Sequence, residues 1–377
     1  MIELQSDELS FAFPELLEQL RSRIRVWVDE RLECASEDAK DRLPSAREEI
    51  HRTFAACLPR ISAAVSFQRT LRLPDNGKNY PMPLGLGRFE IYPVDEFAGV
   101  PEPWRERGGV MLPLHKTEAV WLNFFADYPM ALRVGMGGVC AVSGEPWGGT
   151  LKATPQNYLV LGHQPWLDGL HARPEVVRQF VARPQGRGLM SAHALSGEER
   201  WGGLQLQAFP LRAEEFWRQV LRGKLDDRWD ELMTPIRNRQ ADLAPKPAEP
   251  STWTVKTGGQ LRLKIMDDLY GVETWDTAHS SRCFAHLCLA EDWQRLTGIR
   301  TPQRPPTAAD YQAAGVSWAD LEEGKSAADS DSILADVIAA SAPGSRPPLA
   351  SSASRSPLAP RSILRLNPDL RQLVREF

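Results

Sequence analysis

Near the start of the chain the apolar residues recur with the period of a helix. From Pro14 onward, Leu17, Leu20, Ile24, Trp27 and Val28 share one face, with charged residues between them. Pro14 falls in the first turn, where its missing N–H leaves no bond unmade. A second helix is predicted from Ser45. Ser45 and Glu48 have the spacing of a capping box, Ile50, Phe54, Cys57 and Leu58 form one stripe, and Pro59 ends it. Residues 1–72 are therefore expected to hold a helical hairpin. His51 lies beside the second stripe among charges and reads as a surface histidine.

After the turn Pro74–Gly77 the period shortens. Short apolar runs broken by glycine and proline mark strands at Arg88–Tyr92, Ala119–Phe125, Ala131–Gly135, Val139–Ser143, Tyr158–Leu161, Val176–Val181 and Leu204–Phe209. Helices are predicted at Ala213–Lys224, with Phe216, Val220 and Leu221 in register, and at Asp226–Arg237. Together these make a β-rich central domain, 73–240. Residues 241–251 are rich in proline and alanine and read as a linker. A small β/α unit, 252–323, is expected next, with strands near Trp253–Lys256, Leu261–Met266 and Cys283–Leu289. It is short enough to complete the central sheet rather than fold alone.

From 324 the chain turns to Ser, Ala, Pro and Asp, a composition that buries too little apolar surface to offset its ordering entropy. Its end differs. Asn367 suits a helix cap, Pro368 the first helical position, and Asp369 and Arg375 the two ends of the helix dipole. Leu370, Leu373, Val374 and Phe377 then share one face of a helix 368–377. The expected class is α+β and β-dominated: an N-terminal helical hairpin, a central antiparallel sandwich-like body, a short second β/α unit, and a disordered tail ending in an amphipathic helix.

Composition narrows the functional classes. With 42% hydrophobic and 25% charged residues the chain is globular in kind, and a formal charge of −4 supplies no basic excess for nucleic acid or an acidic membrane. Five scattered cysteines fit no disulfide framework, and no apolar run approaches a membrane span, so a cytoplasmic protein is expected. The 12 tryptophans are the departure from the ordinary. Tryptophan serves cores, interfaces and sugar-stacking platforms alike, which makes Trp147, Trp166 and Trp201 candidate stacking groups.

Four residues of HSSRCFAHLC, His279, Cys283, His286 and Cys288, are of metal-ligating type. In an extended strand, however, Cys283 points away from the face of His286 and Cys288, so no metal site and no cofactor is expected. GHQPWLDGLH brings His163, Asp168 and His171 into one loop, where a histidine beside a carboxylate would suit general base work; the same residues also fit a turn that Asp168 caps. His115 and Glu145 are further candidates at strand ends. VGMGGV, Val134–Val139, is followed by another predicted strand and reads as a tight hairpin, not a phosphate loop. Hydrolase elbow, zinc-protease, P-loop and kinase signatures are missing from the sequence.

The runs WDTAHSSRCFAHL, EDWQRLTG and PPTAADYQAAGVSW, with GHQPWLDG and VRQFVA, resemble segments of a family of bacterial and fungal proteins that has no assigned activity. Where that family typically has a Gly, Pro, Trp, Phe run, this chain has Gly315, Val316, Ser317 and Trp318. The resemblance implies a shared fold and no chemistry.

Two functional readings follow. In the first, the chain is a non-enzymatic interaction or assembly protein whose tethered helix docks a protein partner or another copy through Leu370, Leu373, Val374 and Phe377. In the second it is an enzyme or a binder of a small, carbohydrate-like ligand, with a site near residues 163–171, polar groups His163, Asp168 and His115, and the three tryptophans as platforms.

Overall fold

The computed structural model describes residues 1–34, 43–74, 79–83, 85–173, 176–182, 203–237, 264–318, 321 and 364–365. The chain divides into two compact units. One comprises Glu15–Pro59 with Arg212–Lys264, and the other Met1–Pro14, Arg60–Leu211 and Ile265–Phe377.

The first unit is helical. Helix α1 (Pro14–Glu33) buries Leu16, Leu20, Ile24, Trp27, Val28 and Leu32, the stripe expected of it with Leu16 in place of Leu17. α2 (Leu43–Ala55) contributes Phe54. Trp27 meets Phe54, Trp229 and Trp217 edge to face at 5.1, 5.5 and 6.3 Å, while Phe54 stacks on Trp229 at 5.6 Å. Arg31 lies over Trp27 and Trp229 and bonds Asp226, which also accepts the Trp27 indole N–H at 3.2 Å. Four of the tryptophans and phenylalanines of this unit thus form its core. His51 is not the solvated group its neighbours suggested: its ring lies 2.8 Å from Asp29.

The second unit is built from strands. They are β1 (Ile2–Leu4), β2 (Leu9–Ala12), β3 (Ser62–Leu71), β4 (Gly85–Arg88), β5 (Tyr92–Pro93), β6 (Val110–Leu114), β7 (Glu118–Ala126), β8 (Met130–Met136), β9 (Val139–Cys140), β10 (Leu159–Leu161), β11 (Trp166–Leu167), β12 (Leu170–Arg173), β13 (Val176–Arg178), β14 (Leu204–Pro210), β15 (Ser281–Leu289) and β16 (Leu364–Arg365). A seven-stranded antiparallel sheet runs β11-β7-β3-β2-β1-β16, with β4 on β3. A second seven-stranded sheet runs β10-β8-β14-β15-β6-β5, with β9 folded back on β8. It is antiparallel except where β15 meets β6. β12 and β13 form a separate pair. The two large sheets touch where β1 lies against β15 and β10 against β7. Helices and mostly antiparallel sheets in one chain give the α+β class.

Short helices complete the chain. α3 (Glu102–Arg107) precedes β6. In the helical unit, α4 (Ala213–Phe216) passes through a π-helical turn, Trp217–Leu221, into α5 (Arg222–Arg237), so the two helices expected here are one continuous run. α6 (Ala290–Thr297) packs Trp293 and Leu296 against Val94, Val100, Met111 and Cys288. α7 (Ala308–Ala313) starts at a Thr307/Asp310 capping box and sends Tyr311 into a small core with Leu71 and Val316.

Ser281–Leu289, expected in a second small unit, lies between β14 and β6 and supplies a central strand of the second sheet. Lys264, Ile265 and Met266, expected within a strand, carry none. The linker 241–251, the strand at Trp253–Lys256, Trp201 and the helix 368–377 with Leu370, Leu373, Val374 and Phe377 lie outside the described residues. No helix of the described residues is long and apolar enough to cross a membrane.

Candidate functional site

The second sheet has two unlike faces. Register places Leu132, Val134, Leu204, Leu206, Ala208, Cys283 and Ala285 on one, all buried and apolar. On the other, Gln207 of β14 stands between Arg133 of β8 and Arg282 of β15, and Gln205 between Gly135 and Phe284. A polar face is ordinarily solvated. This one is closed: Arg133 is 1% exposed, Gln205 0% and Gln207 3%.

Trp147 closes it. Its backbone N–H donates to Gly138 O at 2.8 Å, which holds the residue at the mouth of the β8–β9 hairpin. The hairpin turns at Gly137 and Gly138, whose φ of 59° and 83° suit glycine, as VGMGGV predicts. The indole then lies 4.0 Å from the Arg133 guanidinium. Gly135 makes the approach possible, since a β-carbon there would stand 2.6 Å from Trp147 Cε3 and 2.8 Å from Gln205 Oε1. Beyond Trp147 the loop is open, and β-carbons at Gly148 and Gly149 would meet nothing.

The hydrogen bonds on this face do not balance. Arg133 donates through Nη2 to Gly148 O and through Nη1 to Gln207 Oε1 at 3.4 Å, a long bond, while its Nε is enclosed without an acceptor. Gln207 donates to Ser280 Oγ at 3.3 Å. Gln205 has neither its Nε2 nor its Oε1 bonded, and both are enclosed. Among the described residues Gln303 shares that condition, but it is only half-buried. No ion pair of the described residues involves Arg133. Burial pulls its pKa below the usual arginine range, against an opposing effect of Cys140 that is larger than the repulsion from Arg282. Burial lowers Arg282 as well. At Arg133 and Gln205 the open donors outnumber the open acceptors.

The residues singled out from sequence are placed elsewhere, apart from Trp147. His163 stacks on Tyr270 at 5.6 Å and donates its backbone N–H to Val160 O; its Nδ1 is enclosed without a partner. Asp168 pairs with His171 at 3.2 Å, and no bond joins it to His163. The two polar groups of the proposed 163–171 site therefore have separate partners. Trp166 is half-buried on β11, opposite Asn123. His115 supports a structural ion pair: its backbone N–H donates to Glu118 Oε2 at 2.8 Å, and its Nε2 lies 3.0 Å from Gln303 O. Glu145 pairs with Lys152 at 3.0 Å.

The metal-type cluster is dispersed along β15 and the loop before it. His279 bonds Asp276 at 2.9 Å. His286 is held by Gly108 O at 3.0 Å between the rings of Trp104 and Phe284, and burial drops its pKa to about 4. Burial pushes the thiols of Cys283 and Cys288 up to about 12, which keeps both protonated. Among the described residues no three His, Cys, Asp or Glu side chains are grouped to hold an ion.

Sequence reasoning named Trp147 but missed Arg133, Gln205, Gln207 and Arg282. The available signal was LQLQAF beside ALRVGM: polar residues alternating inside runs whose other positions are all apolar. No family model, curated protein or solved structure matches the chain.

Proposed function

We propose that the chain is a ligand-binding protein whose β body takes a small polar molecule on the face formed by Arg133, Gln205 and Gln207 beneath Trp147. One observation carries this reading: Gln205 is fully buried with neither polar atom bonded. An enclosed carboxamide without partners costs about 1–3 kcal/mol for each group left unmade. An apolar side chain would avoid that cost, and a ligand that bonds Gln205 recovers it. The small-ligand reading thus moves from residues 163–171 to the second sheet, with Trp147 retained as the stacking group.

Replacement of Gln205 by methionine, similar in length and without polar atoms, tests the reading in the purified full chain without any ligand. A binding residue held at a cost to stability predicts a higher melting temperature for Gln205→Met than for the wild type. A lower melting temperature would mean that Gln205 makes its bonds within the protein, through a structural water, and would remove the basis of the proposal.

A second reading, an interaction protein that docks a partner or another copy by its C-terminal helix, draws support from β16. Leu364 pairs with Leu4 and Arg365 with Glu3, which tethers the chain just ahead of 368–377 at the edge strand β1. Deleting 367–377, which leaves β16 in place, separates this reading from a helix that only completes its own body. Lost self-association or partner capture at an unchanged melting temperature supports docking, and a lowered melting temperature with association intact refutes it.

A further inference from the structure

The open hydrogen-bonding positions specify what kind of molecule the site takes, given the binding role proposed for Gln205. Arg133 Nε–H and the two N–H of the Gln205 carboxamide lack acceptors, and Gln205 Oε1 lacks a donor. Open donors outnumber open acceptors, and Arg133 is in no ion pair of the described residues. A neutral sugar offers donors and acceptors in similar number and leaves the charge uncompensated. An oxyanion accepts from all the open N–H groups and balances the charge of Arg133. The lone open acceptor, Gln205 Oε1, asks for one hydroxyl on the same molecule.

We infer that the ligand is a small oxyanion carrying a hydroxyl, bound with its charged oxygens on Arg133 Nε–H and Gln205 Nε2 and its O–H donated to Gln205 Oε1. Hydrogen phosphate and a 2-hydroxycarboxylate share this chemistry. Trp147 covers both Arg133 and Gly135, so the molecule enters by displacing the indole. Arg133 is a binding residue in this scheme, and Gln205 distinguishes hydroxylated from simple carboxylates.

Calorimetric titration of the full chain with phosphate, with lactate and with acetate tests the inference. Binding of phosphate or lactate, with acetate weaker by roughly tenfold or more for want of the hydroxyl, is the expected result. Whichever of phosphate and lactate binds tighter identifies the source. Gln205→Met removes the preference for lactate over acetate while the chain stays folded, and Arg133→Lys weakens all binding by roughly tenfold or more because one ammonium cannot replace the guanidinium fork. Absence of binding of both phosphate and lactate, or acetate bound as tightly as the tighter of the two, overturns the inference. If the anions fail while Gln205→Met still raises the melting temperature, the ligand is not an oxyanion and the binding role of the site stands. If Gln205→Met melts lower, the binding role itself falls.

Discussion

Arg69 and Glu118 form a buried ion pair at one end of the first sheet, with both Nε and Nη2 of the arginine on the same carboxylate oxygen. The second oxygen accepts the His115 N–H, and Arg69 also donates to Leu86 O at 3.1 Å and Arg304 O at 3.0 Å. This is how a buried arginine is ordinarily accommodated, with its charge matched and its donors used. Arg133 is more deeply enclosed than Arg69 and has no carboxylate.

The contrast predicts different costs of removal. Glu118→Ala leaves the part-buried Arg69 guanidinium without its carboxylate and is expected to cost up to about 3 kcal/mol. Arg69→Met leaves the fully buried Glu118 unpaired and should cost more, about 3–5 kcal/mol. Arg133→Met strands no charge and is expected to cost clearly less. Denaturant unfolding of the three variants checks this; equal costs for Arg69→Met and Arg133→Met would show that Arg133 is structurally paired.

His286 makes stability depend on pH. Its folded pKa of about 4 lies below the ordinary histidine value because burial disfavours the charged ring. Between those values the unfolded chain binds a proton that the folded chain does not, so the contribution is complete above about pH 6.5 and is lost as pH falls towards 4. From pH 7 to pH 5 the loss amounts to about 2 kcal/mol. His286→Phe, which keeps the stack with Trp104 and Phe284, removes this part of the acid sensitivity. Unfolding free energies of both proteins at the two pH values provide the measurement, and equal losses in the two would contradict the assignment.

Gly135 is required by contact, because a β-carbon would press on Trp147 Cε3 and Gln205 Oε1. Gly135→Ala is expected to destabilise by about 1–3 kcal/mol and to lift the indole from Arg133. Near-ultraviolet circular dichroism together with denaturant unfolding reads both effects. Unchanged spectrum and stability would show that the indole does not rest on the strand.

How legible each part was depends on whether polar and apolar residues alternate along it, or turn residues bound it, and not on its burial, since β8 and β14 are almost wholly buried. Helix α1 and strands β7, β8 and β14 were found because a polar face or flanking turns give them a period. β3 was missed since the small residues among Ser62–Phe67 blur the alternation. β6, VMLPL, has no polar position and contains Pro113, a residue that argues against a strand. β1 and β2 are too short to show a period. At the site, the strand reading separated Cys283 from His286 correctly in kind, and the hairpin at Gly137 and Gly138 was readable from its glycines. Arg133 and Gln205 could be seen alternating with apolar neighbours. That Trp147 would roof them depends on a contact between the hairpin loop and the sheet face, which no local pattern records.

The most direct measurement is a crystal structure of the full chain soaked with lactate or phosphate, at a resolution that separates water from larger groups. The account predicts density for the anion against Arg133 Nε and Gln205 Nε2, with Trp147 moved off the guanidinium. A single water bonded to Gln205, with Trp147 still stacked on Arg133, would contradict it.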